Sequence, residues 1–297
     1  MKLLSLIFST LFFATAFQSQ AGNQAFEPDK IYAGHSGQPT DLSDIAKNIA
    51  PGSVVVLGEI HNNPAHHAHQ VEFLKALAQE HPEFAIHLGM EFFYWPEQKH
   101  VDNYLDSRIS EEEFLNTISW GSMPFDFYRE QVLFPLQANG KTWAINAPRF
   151  LSAKIAKGGL ASLTDAEKAL LPPDFEIGND LYFERFAEVM GGHHGISPQK
   201  LRNFFEAQSL WDDTMAWKSI EAQASKKDRV FVILVGDFHA AYGGGLPDRL
   251  KARGMKDVLS FSQVDVNGLS DDEMKQALLP DPKYGDRASY VWTSLVK

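Results

Sequence analysis

The sequence predicts an α/β fold: a mostly parallel central sheet flanked by helices, with a helical insertion or cap. Three observations carry that prediction. Short β-branched or apolar runs alternate with stretches of helical periodicity. Three of those runs end alike, in Gly58, Gly89 and Gly236, each followed within three residues by a His or a carboxylate. The stretch from 97 to 226 reads as helical and holds one strand-like segment.

The elements follow in order. Residues 22–52 are polar and rich in Gly, Pro and Ser, with a short helix expected at 42–49. The β-branched run at 54–57 reads as a buried strand. Pro64 suits the first turn of a helix running to about residue 79. A second strand is expected at 84–93 and a helical stretch at 97–117. Another helix or helix pair should end at Asn139-Gly140. "TWAINAPR", 142–149, is the third strand, running into a loop. From 150 to 226 the pattern is helical, broken by "GGHHG" at 191–195. "RVFVILVGDFH", 229–239, is the strongest strand signal. A helix follows Pro247, and strands near 258–261 and 290–295 end the chain. Beyond residue 21, one domain is expected over 22–297.

The first 21 residues stand apart. They carry one charged side chain, Lys2, an apolar run over 3–17, and Ser-Gln-Ala ending at Ala21. This is the pattern of a secretory signal with a small-x-small cleavage site, too short for a membrane span. Its removal takes Lys2 away and moves the formal charge from −11 to −12. An acidic chain without a basic cluster offers no footprint for nucleic acid. There is no cysteine. That excludes disulfides, thiolate ligands to zinc or haem iron, and a cysteine-borne lipid anchor. An export signal without thiols suits a bacterial periplasm.

If the strands are parallel, their carboxyl ends share one edge of the sheet, where open α/β sheets bind ligands. His61, Glu91 and His239 follow three such ends and should converge. Glu59 and Asp237 lie beside them in sequence. Two His and a carboxylate could hold a divalent metal with an open position, or line a haem pocket. The plain alternative is polar strand ends bonded to loop backbone. Four of the eleven His fall at 61, 66, 67 and 69. His66 or His67, on the first turns of the helix after Pro64, could look back toward the crevice. Tyr242 follows His239 by three residues and precedes three glycines. It could be a ligand, a supporting hydroxyl or a packed aromatic. Gln208, Asp212 and Asp213 lie along an apolar helix stripe at 204–216, and their role stays open.

Six segments, "LGEIHNNPAHH", "GMEFF", "GSMPFDFY", "NAPR", "FFEAQSLWDDTMA" and "GDFHAAYGGGLPDRL", stand in order between about 54 and 250. Together they resemble the ChaN-like haem-binding family of the Tiki/TraB/erythromycin-esterase superfamily. The superfamily's paired Gly-x-x-His motifs and Glu look like Gly58–His61, Gly236–His239 and Glu91. The resemblance implies a haem-binding accessory to haem or iron uptake, with haem at a homodimer interface, a Tyr ligand and His on the propionates. The candidate ligands are Tyr242, Tyr128 and Tyr182; the candidate propionate partners are His193 and His194. The aromatic run Phe92, Phe93, Tyr94 and Trp95 is a candidate porphyrin face. The resemblance also implies an alternative: a metal-dependent hydrolase with His61, Glu91 and His239 on a divalent metal and Glu59 as general base.

Overall fold

The computed structural model describes residues 26–191, 195–223 and 228–295. The first elements in chain order are β1 (Ile31–Ala33), β2 (Pro39–Thr40), α1 (Leu42–Lys47), β3 (Val54–Glu59), α2 (Pro64–Glu80) and β4 (Ala85–Tyr94). The middle of the chain holds α3 (Gln98–Leu105), α4 (Glu111–Thr117), α5 (Arg129–Leu133), β5 (Thr142–Asn146), α6 (Arg149–Gly158), α7 (Asp165–Lys168), α8 (Asp180–Gly191) and α9 (Pro198–Gln223). Then come β6 (Arg229–Gly236), α10 (Asp237–Ala240), α11 (Leu246–Ala252), β7 (Val258–Asp265), α12 (Asp271–Leu278) and β8 (Tyr290–Ser294).

Among the described residues the eight strands form one sheet in the order β2-β1-β8-β7-β3-β6-β4-β5. From β8 to β5 every neighbouring pair is parallel. The antiparallel pairs are β1 with β8 and with β2. The carboxyl ends of β3, β6, β4 and β5 therefore lie on one edge, as the strand-end pattern required. The edge strands β1 and β2 have no counterpart in the sequence reading, because three and two residues are too few for a periodic signal. Helix α12 does have a signal, the capping box of Ser270 and Glu273.

Alternate residues of the central strands face opposite layers. Val55, Leu57, Val232 and Leu234 pack with Phe73, Leu74 and Leu77 of α2 and with Val101, Phe114 and Val132 of α3–α5. Val54, Val56, Phe231, Ile233 and Val235 face Met215 and Ala216 of α9 and Leu246 and Leu250 of α11. Strands covered on both faces read as continuous apolar runs, as these do. Each fully buried side chain of this kind contributes roughly 1.5–3 kcal/mol. The helical stretch of 97–226 is divided between the two faces of the sheet. Its first half covers one face of the sheet and its second half the other. No helix among the described residues is long and apolar enough to cross a membrane.

Candidate functional site

Helix α2 begins where Pro64 sets the first turn and the Asn63 side chain accepts from the Ala65 N–H at 3.0 Å. Its histidines mainly fasten it to the sheet. His66 Nδ1 accepts from the Ile60 N–H at 2.9 Å, and its Nε2 lies 3.0 Å from Ser294 Oγ. Burial pushes the His66 pKa down to about 3. His69 stacks on Trp292, with ring centroids 4.2 Å apart, and bonds Gln263. His67 does look back toward the crevice: its Nε2 bonds the His61 carbonyl at 3.0 Å.

At the carboxyl edge the three expected residues meet. Glu91 lies inside β4 rather than beyond it, where the β4–β5 register shifts between Met90 and Tyr94. Irregularities of this kind re-aim a side chain next to a site. The Glu91 carboxylate accepts the Gly236 N–H at 2.6 Å and lies 3.5 Å from His239 Nε2. A Cβ on Gly236 would sit 3.0 Å from the His61 ring and 3.6 Å from Glu91. Glycine at the end of β6 is what allows His61 and Glu91 to approach one another.

Two buried carboxylates hold the imidazoles. Glu59, buried at the end of β3, lies 2.9 Å from His61 Nδ1 and accepts from Gln70 and from the Tyr128 hydroxyl. Asp212 of α9, fully buried, lies 2.7 Å from His239 Nδ1 and accepts from the Tyr182 hydroxyl at 2.7 Å. Burial alone would push the His239 pKa down, but Asp212 and Glu91 hold it up at about 10. Burial would raise Glu91, but His239 and His61 pull it down to about 2. His61 is also desolvated, yet Glu59 and Glu91 keep its pKa raised. His239 is therefore an imidazolium clamped between two carboxylates, and His61 is the accessible member, with its side chain 38% exposed.

The divalent metal expected of His61, Glu91 and His239 finds no support in this arrangement, in which His239 Nε2 pairs with the Glu91 carboxylate and its Nδ1 with Asp212. Among the described residues no group of three His, Asp or Glu is arranged to hold a metal ion.

The three candidate tyrosines separate cleanly. Tyr128 and Tyr182 are buried, and burial, followed by Glu59 and Asp212 respectively, raises both phenol pKa values. Their hydroxyls are committed as donors to those carboxylates. Tyr242 is half-buried and sits in the left-handed region at φ +59°, followed by Gly243 at +71° and Gly244 at +78°. A non-glycine residue held there marks strain of the kind found at ligand sites. Its N–H donates to the Arg287 carbonyl at 2.6 Å. The Arg287 guanidinium donates to its hydroxyl oxygen at 3.5 Å and stacks 5.0 Å from its ring. Tyr242 lines a cavity of about 300 Å³ with Asn179, Leu181, Tyr182, Arg185, Gly243, Gly244, Tyr284 and the carboxylates of Asp248 and Asp286.

Tyr182 separates that cavity from the strand-end network. A Cβ on Gly244 would lie 2.5 Å from Tyr182 Cβ, so only glycine lets the loop wrap the ring. The candidate porphyrin face at 92–95 is corrected at its first two residues. Phe93 is fully buried against Phe114 and Trp120, and Phe92 packs on His61 and Tyr128. Those rings belong to the core beneath α3–α5. His193 and His194 lie outside the described residues. Arg185 and Arg287 were not singled out in the sequence, since neither sits in a pattern that sets it apart from a surface charge. Asp212 stood in a quoted motif with its role open.

The sequence profile of the family described as haem-binding uptake, Tiki superfamily, ChaN matches residues 45–250. The chain belongs to this family. The match takes in both Gly-x-x-His motifs, Glu91, Asp212 and Tyr242. ChaN of Campylobacter jejuni, whose structure is described as showing cofacial haem binding, shares the fold. It covers 88% of this chain and 95% of its own at 19% identity, with a TM-score of 0.64. The type III effector HopBA1 covers 93% of this chain and 100% of its own at 14% identity and a TM-score of 0.44. An erythromycin esterase in its open conformation covers 82% and 78% at 14% identity and a TM-score of 0.45. No curated protein matches the chain. The ChaN-like family expected from the six segments and the α/β fold expected from alternating strands and helices are both borne out.

Proposed function

We propose that this protein binds ferric haem at the Tyr242 cavity, with Tyr242 as the iron ligand, and acts as an accessory to haem or iron uptake. Membership of a haem-binding uptake family supports haem as cargo. The single observation that supports this site is the state of the three tyrosines. Tyr242 alone of them has a hydroxyl that is not committed to a buried carboxylate, and it is presented by a strained backbone at a cavity. A phenolic oxygen suits ferric iron, and the Arg287 cation lies beside the oxygen that would carry charge. The signal-like first 21 residues support export to the periplasm. Leu181 of the cavity wall and Val189 two turns further along α8, exposed at 42% and 62%, support burial of this face in a homodimer. A haemin titration of residues 22–297, read by visible absorbance and by sedimentation, tests the reading. Saturable binding with a tyrosinate-type ferric spectrum and dimer formation supports it; absence of saturable binding at micromolar haemin contradicts it.

One observation favours a second reading, hydrolysis. Glu59 orients His61 through Nδ1, and His61 Nε2 has no hydrogen-bond partner among the described residues. That is the arrangement of a general base. Ester turnover that disappears in His61→Ala supports it, and an ester panel without turnover contradicts it.

A further inference from the structure

Arg287, three residues before β8, touches Tyr242 at both ends. Its carbonyl accepts the Tyr242 N–H at 2.6 Å, which fixes the backbone of a residue held at φ +59°. Its guanidinium reaches the phenol: Nη1 lies 3.5 Å from the hydroxyl oxygen, and the group stands 5.0 Å from the ring centroid. The guanidinium is itself held in place. Nε donates to Ser262 Oγ at 3.1 Å, and Nη2 lies 3.9 Å from Asp237 Oδ2. The same Ser262 hydroxyl donates to Asp237 Oδ1 at 2.6 Å. Asp237 neighbours the strand-end residues in sequence, yet its carboxylate faces Arg287. Both side chains are 19% exposed. Arg287 lies beyond residue 250, where the match to the family profile ends.

A tyrosine that ligates ferric iron does so as an anion. The lining of the cavity opposes that anion, because it includes the carboxylates of Asp248 and Asp286. Asp248 accepts the Gly244 N–H at 2.6 Å, and Asp286 lies 3.2 Å from His35 Nδ1. Arg185 lies 5.8 Å from the centre of the Tyr242 ring, and one of its terminal nitrogens is engaged by the Phe238 carbonyl. Tyr284, with its ring centroid 6.0 Å away, is a second phenol. Arg287 is the cation within reach of the oxygen. At 3.5 Å its hydrogen bond is long, but attraction between charges falls only as the inverse of their separation. The guanidinium therefore acts strongly on a charged oxygen and weakly on a neutral one. Asp237 draws on the same guanidinium and tempers that pull.

We propose that Arg287 is a positioning residue for Tyr242, and that the Asp237–Arg287 pair sets how strongly the phenolic oxygen donates to ferric iron. This rests on the haem reading above and adds a means of control to it. The carbonyl of residue 287 aims the ligand, and the side chain tunes it. A substitution at 287 keeps the backbone bond, so it isolates the effect of the charge. A cation beside the phenolic oxygen lowers the energy of its donor electrons. The charge-transfer transition to iron then needs more energy, and the ferric state is favoured less.

The test records the ferric haem spectrum and the reduction potential of the mature chain, residues 22–297, at one pH. Wild type is compared with Arg287→Gln, Arg287→Lys and Asp237→Asn. Arg287→Gln should move the tyrosinate-to-iron band to longer wavelength and the potential to a more negative value. Arg287→Lys, which keeps a charge and loses the fork, should fall between. Asp237→Asn, which removes the counter-ion, should shift both the opposite way. A band and potential unmoved in Arg287→Gln overturn the proposal. Shifts of the same sign in Arg287→Gln and Asp237→Asn also overturn it, since a structural disturbance alone would give that result. Where one of these two variants fails to fold, the sign of the shift in the other decides. A wild-type complex without a tyrosinate band overturns the haem reading and this proposal with it, whereas a band identical in wild type and Arg287→Gln overturns only the role of Arg287.

Discussion

Tyr128, Tyr182 and Tyr242 carry the same phenol, and their surroundings give it different work. Tyr128 and Tyr182 donate to Glu59 and Asp212, each carboxylate buried and shared with a histidine. Removing either hydroxyl leaves a buried carboxylate short of a donor, at about 1–3 kcal/mol. Tyr128→Phe and Tyr182→Phe should therefore lower the chemical-denaturation midpoint while the haem spectrum stays that of wild type. A lost spectrum in a stably folded variant would move the iron ligand to that residue. The sequence held all three tyrosines as equals, since exposure and hydroxyl partners depend on residues far away in the chain. The strand-end residues were more legible. His61, Glu91 and His239 each follow or end an apolar run, and parallel pairing then forces them together. Arg185 was not legible, because one sequence does not reveal burial of an arginine.

The segment from β6 through α10 to α11 joins the two sites. Gly236 lets His61 and Glu91 meet, His239 sits on the single turn of α10, and the glycine loop then presents Tyr242. Gly244 is the tightest point of this segment, with a left-handed backbone and no room for a Cβ beside Tyr182. Gly244→Ala should destabilise by about 1–3 kcal/mol and weaken haemin binding together with it. Wild-type haemin affinity in that variant would show that the loop does not set the ligand geometry. Glycines at 243–245 were visible in the sequence, but not what they face: Tyr182 fills the space a side chain at Gly244 would need. Elements of this length were otherwise misplaced by a few residues, as with β6, whose strand ends at Gly236 before α10 begins.

At the scale of the whole molecule a mostly parallel sheet, helices on both faces and a polar carboxyl edge follow from alternating strands and helices, and these were the most legible features; the order of the strands was not. The antiparallel edge of β1 and β2 was not, being too short to pattern. The polar edge also sets how stability varies with pH. His239, raised to about 10 from 6.5, stabilises fully below 6.5 and progressively less as pH rises toward 10. His66, lowered to about 3, must stay neutral, so stability falls as pH drops from 6.5 toward 3. Glu91, lowered to about 2 from 4.5, adds a loss below 4.5. Denaturation midpoints should peak near pH 6.5, with limbs of up to about 1.4 kcal/mol per pH unit for each group. His239→Gln should flatten the alkaline limb; a wild-type profile level to pH 10 would contradict the clamped imidazolium. The central claim, that the family's haem is held by Tyr242, is tested most directly by the ferric haem spectrum of Tyr242→Phe beside wild type. The account predicts loss of the tyrosinate-to-iron charge-transfer band, with affinity reduced by at least about tenfold and the fold unchanged. An unaltered band and affinity in that variant would contradict it.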